Sequence, residues 1–224
     1  MTSTPDRPGD GDDAGLAAAD SLRLIREQQD RARAALEPDG RAIYGAWAVA
    51  WLGGYLVLWW SAQGREQPEP WAYWAYAVAL AAAVVVTMVT TISRTAGTRG
   101  VSARAGAMYG WSWLLGFLTL SAFLGGLARA GAEGEVMGLA SNGGACLVVG
   151  LLYLGGSVAF GDRNLFVLGA WILVVAAAAT LAGLPLTYLV MASAGGGGFL
   201  VMAVVEHLRR LRRRRGAGEG TGRG

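Results

Sequence analysis

The sequence predicts an all-α membrane protein with six transmembrane helices, both termini in the cytoplasm and a cytoplasmic amphipathic helix before the first span. Three observations predict this class. Hydrophobic residues make up 54% of the chain against 16% charged, and the mean hydropathy is +0.38. Charged residues are absent from five long windows, and the basic residues, all of them arginine, cluster between alternate windows. A water-soluble domain of this length needs a more polar surface, so we expect lipid to solvate the apolar faces.

Residues 1–18 form a short tail rich in aspartate, glycine and proline. The tail has too few apolar residues to build a core, so we predict that it is disordered. It has neither a basic n-region nor a small-residue cleavage site, so it does not resemble a secretory signal peptide.

Residues 19–41 are predicted to form a cytoplasmic amphipathic helix followed by a turn. Asp20 is a suitable N-cap, and EPDG at 37–40 ends the helix. Two roles are open: a docking helix for a partner or a lipid surface, or a helix that only covers the inner face of the bundle. The narrow apolar stripe favours the second role, and it consists of Leu22, Ile25, Ala32 and Leu36.

The uncharged windows define the spans, because about 20 apolar residues in a helix cross the hydrocarbon core. They cover residues 42–64, 70–93, 105–128, 136–161 and 164–205. The last window is too long for one span and contains AGLPL at 182–186, where Gly183 and Pro185 favour a turn. The six-helix domain, 42–207, is therefore predicted to have spans at about 42–62, 71–92, 106–128, 136–160, 165–182 and 185–207.

The orientation follows from the arginines. With six spans, all of them except Arg65 and Arg129 share one side, including those of the predicted tail at 208–224. Positive charge is retained in the cytoplasm, so we expect both termini there. Trp60 and Trp71 fall at the opposite interface, where aromatic rings anchor helices. The alanine- and glycine-rich, lysine-free composition indicates a high-GC bacterial genome. Together with the six spans, this predicts a multi-pass protein of the bacterial inner membrane.

The residues that are missing exclude several chemistries. Cys146 is the only cysteine and His207 the only histidine, so we expect no internal disulfide, no Cys/His metal site and no histidine-based catalytic set. No charged residue lies in the middle of a span, which argues against proton-coupled transport. Glu206, at the inner end of the last span, is expected to pair with Arg209 or Arg210. We predict no enzyme activity, no cofactor and no nucleic-acid partner.

The most unusual stretch is ASAGGGGF, residues 192–199, in the sixth span. Ser193 and Gly197 lie four residues apart, as do Ala192 and Gly196, and this small-xxx-small spacing allows helices to approach closely. Gly106 and Gly110 repeat the spacing in the third span. The alternative interpretation of Gly195, Gly196, Gly197 and Gly198 is a broken helix whose carbonyls line a substrate path. Packing is the favoured interpretation, because no proline or charge accompanies the glycines.

Polar and aromatic residues supply the other candidate site positions. Asn142 in the fourth span needs a hydrogen-bond partner in hydrocarbon, and an interhelical bond is the favoured role over substrate contact. In the first span Trp47, Trp51 and Tyr55 repeat at helical spacing with Tyr44 and Trp59. Such a stripe either lines a path for an apolar or cationic solute or, as we favour, faces lipid or fills gaps between helices.

Three stretches carry a resemblance to other proteins: YGAWAVAWLGGYLVLWW, DRNLFVLGAWILVV and GLPLTYLVMASAGGGGFL. Here the chain resembles a group of uncharacterised six-transmembrane-helix integral membrane proteins of high-GC bacteria, which also begin with a Gln/Arg-rich amphipathic helix. The resemblance covers about residues 20–215 and implies topology but no mechanism. The architecture is also similar to that of ABC-type export permeases in its N-terminal helix and six spans alone.

Two functions follow from these patterns. The first is a transport-type protein, a facilitator or the membrane subunit of an exporter, for an uncharged or weakly polar solute. The second is a non-transporting regulatory or assembly subunit that binds partners or anionic lipid through its cytoplasmic segments. The expected partners are membrane lipid and either a second copy of the chain or a cytoplasmic protein. A polar cavity beside Gly195–Gly198 would favour transport, and solid packing there would favour the subunit.

Overall fold

The computed structural model describes residues 20–26, 28, 40–65, 67–95 and 101–220. Within these residues the chain is helical between short turns and forms no strand. In this described part of the chain, six helices are long and apolar enough to cross a membrane, in agreement with the predicted number of spans. Of the predicted amphipathic helix, residues 20–26 are helical. Most of its remainder, the predicted acidic tail at 1–18 and the end of the arginine-rich tail at 221–224 lie outside the described residues.

From residue 40 onward, the helices follow one another through short turns wherever the connections are described. They are α1 (Gly40–Ser61), α2 (Pro70–Thr95), α3 (Val101–Arg129), α4 (Gly134–Phe160), α5 (Arg163–Ala182), α6 (Leu186–Val190), a π-helical segment (Met191–Gly196) and α7 (Gly197–Gly220). The sixth span, Leu186–Arg212, consists of α6, the π segment and the first part of α7. It is thus one continuous helix with a wider turn in its middle, and α7 continues into the predicted arginine-rich tail.

The core lies along the sixth span, which packs against α1 on one side and against α5 on the other. Their inward faces supply most of the fully buried side chains, because apolar residues recur there at helical spacing. The largest of these are Leu58 of α1, Leu168 and Ile172 of α5, and Met191 and Phe199 of the sixth span. The centre of the bundle is therefore built by the first and the last two spans.

The remaining spans lie at the edges of this core. α2 packs on α1, while α4 packs on α5 and carries α3 on its other side. α3 has no fully buried residue in its most apolar window, and α2 has few. Their outward apolar side chains, such as Val78, Val89, Trp111 and Leu118, are more than half exposed. In a bilayer, lipid tails cover such faces, so exposure of this kind costs nothing there.

The turns at the two ends of α5 both contain a glycine with positive φ. Gly161 adopts a φ of 66° at the end of α4, and Gly183 adopts 71° at the end of α5, a region that favours glycine because side chains are strained there. Asp162 then caps α5 by accepting a hydrogen bond from the Asn164 backbone N–H at 2.8 Å. The turn at 183–185 is held against α4, because Glu135 accepts a bond from the Leu184 N–H at 3.2 Å.

Charged side chains join the start of α1 and α5 to the end of the sixth span. Arg210 pairs with Glu206 at 3.2 Å, which confirms one of the two pairings predicted for Glu206. Arg41 of α1 lies 3.5 Å from His207, and Arg209 donates to Asn164 of α5 at 3.3 Å. The described ionic contacts of the sixth span therefore gather at its C-terminal end.

Candidate functional site

The four-glycine stretch lies where the sixth span crosses α1 and α5. A methyl group on Gly195 would lie 2.8 Å from the Trp51 ring, and one on Gly198 would lie 2.4 Å from the Trp171 indole nitrogen. On Gly196 it would lie 2.7 Å from the backbone nitrogen of Leu52. These distances are shorter than any van der Waals contact, so the neighbouring helices already occupy the space of the missing side chains. We call this contact the glycine seam.

Gly197 differs from its three neighbours, since a methyl group there would meet no described atom within 4 Å. Consecutive residues of a helix point about 100° apart, so four in a row cannot all face the same partner. Gly195 and Gly196 face α1, and Gly198 faces α5. Three of the four glycines therefore form the contacts of the sixth span with α1 and α5.

The π-helical segment Met191–Gly196 runs directly into the glycine seam. A π turn widens the helix and shifts its hydrogen bonds, which changes the face that each residue presents. One backbone carbonyl there gains an extra donor, because Trp171 Nε1 donates to the Ala194 oxygen at 2.9 Å. Ser193 donates to the Leu189 carbonyl at 2.8 Å and thus bonds within its own helix. The sixth span is therefore widened at the glycines and remains helical throughout.

The aromatic stripe of α1 fills the gaps between helices. Trp47 stacks on Phe199 with ring centroids 6.1 Å apart, and Trp51 meets Phe199 edge-on at 5.1 Å. Trp47 Nε1 also donates to Thr87 of α2 at 3.0 Å. Only 4% of the Trp51 surface is exposed. These side chains therefore join α1 to α2 and to the sixth span.

A polar contact connects α1 to α4. The Tyr55 hydroxyl donates to Asn142 Oδ1 at 2.6 Å, an interhelical bond of the kind expected for an amide in hydrocarbon. The centroid of the Tyr76 ring lies 4.7 Å from that of Tyr55. The Cys146 thiol also lies close to the Tyr55 hydroxyl. We call Tyr55, Tyr76, Asn142 and Cys146 the polar cluster.

Two buried N–H groups lie beside these contacts without a hydrogen-bond acceptor among the described residues. They are Trp51 Nε1 and Asn142 Nδ2. An unpaired donor in a low-dielectric interior loses its hydration without replacement, at a cost of about 1–3 kcal/mol. Because Tyr55 binds the amide oxygen, the amide nitrogen of Asn142 is the group left over. The two donors together offer hydrogen bonds to a neutral acceptor and no charge.

The structure brings part of the predicted site together. Trp51 contacts Gly195, and Tyr55 contacts both Trp51 and Asn142. Trp47 lies nearby on the same face of α1, whereas Gly197 and Ser193 take no part in these interhelical contacts. Sequence reasoning missed three partners: Trp171, Phe199 and Tyr76. A large aromatic residue in a span adjacent to a glycine-rich one was the available signal, but nothing in one sequence shows which faces meet.

The site contains no charged group and is suited to packing and neutral hydrogen bonding. In the part of the chain that the structure describes, no three His, Cys, Asp or Glu side chains cluster in a way that could hold a metal ion. Comparison of the chain with known protein families, with curated proteins and with solved structures finds no match. The assignment of a function therefore depends on the geometry alone.

Proposed function

We propose that this multi-pass membrane protein is a regulatory or assembly membrane subunit. In this proposal it does not transport solute along the glycine stretch. One observation carries this proposal. The glycine seam is closed on both sides, by Trp51 and Leu52 from α1 and by Trp171 from α5. A path along Gly195–Gly198 would need to displace side chains that pack against bare backbone, and packed interiors resist such displacement.

An uncovered helix face supports the assembly role. α3 packs only on α4 among the described elements, and methyl groups on Gly106 and Gly110 would meet nothing within 4 Å. The small-xxx-small pair of α3 is thus unused inside one chain, whereas such pairs commonly join two helices in membranes. We infer that this face of α3 binds the same face of a second copy.

The same proposal covers topology and location. We propose that the protein lies in the bacterial inner membrane with both termini in the cytoplasm, because the arginines follow the inward-positive rule. The amphipathic segment at 19–41 and the arginine-rich tail would then face the cytoplasm, where they bind anionic lipid or a partner protein. We propose no catalytic activity, since the polar cluster lacks an activated nucleophile and a general base.

A cross-linking experiment tests assembly through α3. An Ala107→Cys variant in native membranes is expected to form a disulfide-linked dimer on oxidation, because Ala107 is exposed beside the glycine pair and the native Cys146 is buried. Adding Gly110→Leu should reduce the linked fraction about tenfold, equivalent to about 1.4 kcal/mol of association. Adding Gly53→Leu should leave it unchanged, since Gly53 is also exposed and open but lies on α1. Absence of a dimer from Ala107→Cys would contradict the proposal.

One observation favours transport as the second candidate function. The unpaired N–H groups of Trp51 and Asn142 could bind a neutral solute with hydrogen-bond acceptors once the bundle opens. The flux of neutral solutes into liposomes that contain the purified protein tests whether it transports them. Transport predicts flux above that of empty vesicles, reduced by Asn142→Leu and unaffected by Ser121→Ala, whose hydroxyl bonds within α3. Flux equal to that of empty vesicles across a broad solute panel would exclude this candidate.

A further inference from the structure

An open depression of about 380 Å³ lies at the end of the bundle where α1 turns into α2. It is lined by Trp60, Ser61, Gln63, Arg65, Glu69 and Trp71. Because α1 ends at Ser61 and α2 begins at Pro70, the depression lies where the spans leave the hydrocarbon, at the level of lipid headgroups. It is separate from the glycine seam and from the polar cluster.

Two tryptophans form an aromatic corner in this depression. The Trp60 and Trp71 rings meet edge-on, with centroids 6.3 Å apart and an angle of 66° between their planes. Trp60 is 66% exposed and Trp71 48% exposed, so both rings are accessible. An indole face attracts an ammonium group through its quadrupole, and two rings set at an angle attract it more strongly than one.

Among the described residues that line the depression, the polar side has one charge of each sign. Arg65 and Glu69 form an ion pair four residues apart in the connection between α1 and α2, and their side chains are 59% and 32% exposed. The other polar side chains bond to backbone carbonyls: Ser61 donates to Leu58, and Gln63 donates to Trp59. The described lining residues therefore carry no net charge and offer a cation site next to an anion site.

We propose that this depression binds a zwitterionic headgroup in which an ammonium and a phosphate are joined by a short linker. The ammonium lies in the corner of Trp60 and Trp71 beside the Glu69 carboxylate, and the phosphate lies against the Arg65 guanidinium. This order alternates the four charges, so each is neutralised by a neighbour. An anionic headgroup without an ammonium group would place two negative charges, its phosphate and Glu69, beside the single guanidinium of Arg65.

Selective lipid retention tests the proposal. The purified full chain is incubated with equal amounts of phosphatidylethanolamine and phosphatidylglycerol that have identical acyl chains, and the retained lipids are quantified by mass spectrometry. The arginine-rich tail retains anionic lipid independently of this depression, so the readout is the ratio of zwitterionic to anionic lipid that each variant retains, relative to the unaltered chain. Trp71→Leu should reduce that ratio about threefold, the contribution of one exposed cation–π contact, and Trp71→Phe should have an intermediate effect. This graded series separates ring recognition from a purely structural role.

Trp74→Leu is the matched control, because Trp74 is 73% exposed near the same end of α2 but does not line the depression. An unchanged lipid ratio in Trp71→Leu would overturn the proposal, as would an equal effect of Trp74→Leu and Trp71→Leu. Glycerophosphoethanolamine in excess identifies the source of the headgroup. If this soluble compound displaces the lipid, the depression binds the free zwitterion through the same residues. If it does not, the depression binds the headgroup only as part of a membrane lipid.

Discussion

Replacing Gly196 with alanine is expected to destabilise the protein by about 3 kcal/mol, at the upper end of the cost of overpacking a core. The added methyl group would lie 2.7 Å from both the Cγ and the backbone nitrogen of Leu52. A methyl group on Gly195 would meet only side-chain atoms, whereas one on Gly196 would meet the backbone of α1, which has no rotamer to change. The sixth span must therefore separate from α1, and the aromatic contacts of Phe199 weaken with it.

The neighbouring Gly197→Ala variant provides the control. Gly197 has open space around it, so alanine there should be neutral or stabilise the helix by about 0.5–1 kcal/mol. Cys146 is the only cysteine of the sequence and is buried, so its alkylation by a fluorescent maleimide during heating reports unfolding. A lower midpoint for Gly196→Ala and an equal or higher one for Gly197→Ala are expected. Similar midpoints for both variants would show that α1 does not contact the sixth span in this way.

Tyr55→Phe is expected to have the next largest effect, a loss of about 1–2 kcal/mol. The variant keeps the ring but removes the hydroxyl that donates to Asn142, and the Asn142 Nδ2 already has no acceptor among the described residues. The buried amide then has no partner on either side, and burial of an unpaired polar group costs more than a hydrogen bond contributes. We therefore expect the protein to lose more stability when only the Tyr55 hydroxyl is removed than when the Asn142 amide is removed with it.

A double-mutant cycle measures this difference. Tyr55→Phe combined with Asn142→Leu should be more stable than Tyr55→Phe alone, because no orphaned amide remains. Circular dichroism on heating is the suitable measurement, since Cys146 lies next to Tyr55 and its alkylation would report local changes too. Tyr73→Phe is the control, as its hydroxyl lies 3.5 Å from that of Tyr188 and contributes little. Strict additivity of the two substitutions would contradict the role assigned to the cluster.

The spans were predictable from the sequence because the cost of placing charge in hydrocarbon is large and local. The uncharged windows locate all six helices, and the turn between the last two falls on the AGLPL stretch, with Gly183 at positive φ. The helix ends differ by a few residues, since backbone hydrogen bonding continues past the last apolar residue. α7 is the exception, because it continues well beyond the predicted end of the span at 207 and through most of the predicted tail, to Gly220.

The candidate site was predictable only as a set of residue types. The sequence indicates that the glycines and Asn142 contact other helices, because small and polar side chains are enriched at helix–helix interfaces in membranes. The aromatic stripe of α1 is expected to fill gaps between helices. The sequence does not indicate that Trp171 and Phe199 are the side chains that pack against α1 and the glycines. It also does not predict the π segment, because the widened turn depends on contacts from α5 and α1.

The sequence by itself determines that the chain has six helices suited to a bilayer and that its spans contain no charged residue at their centres. These properties depend on the solvation of each segment, which every residue contributes independently of its distant neighbours. The tertiary structure alone decides that three of the four glycines join the sixth span to α1 and α5, that no described residue covers Gly106 and Gly110, and that Tyr55 reaches Asn142. These depend on how each helix is rotated about its axis. That rotation is set by the packing of all the spans at once, which no single stretch of the chain encodes.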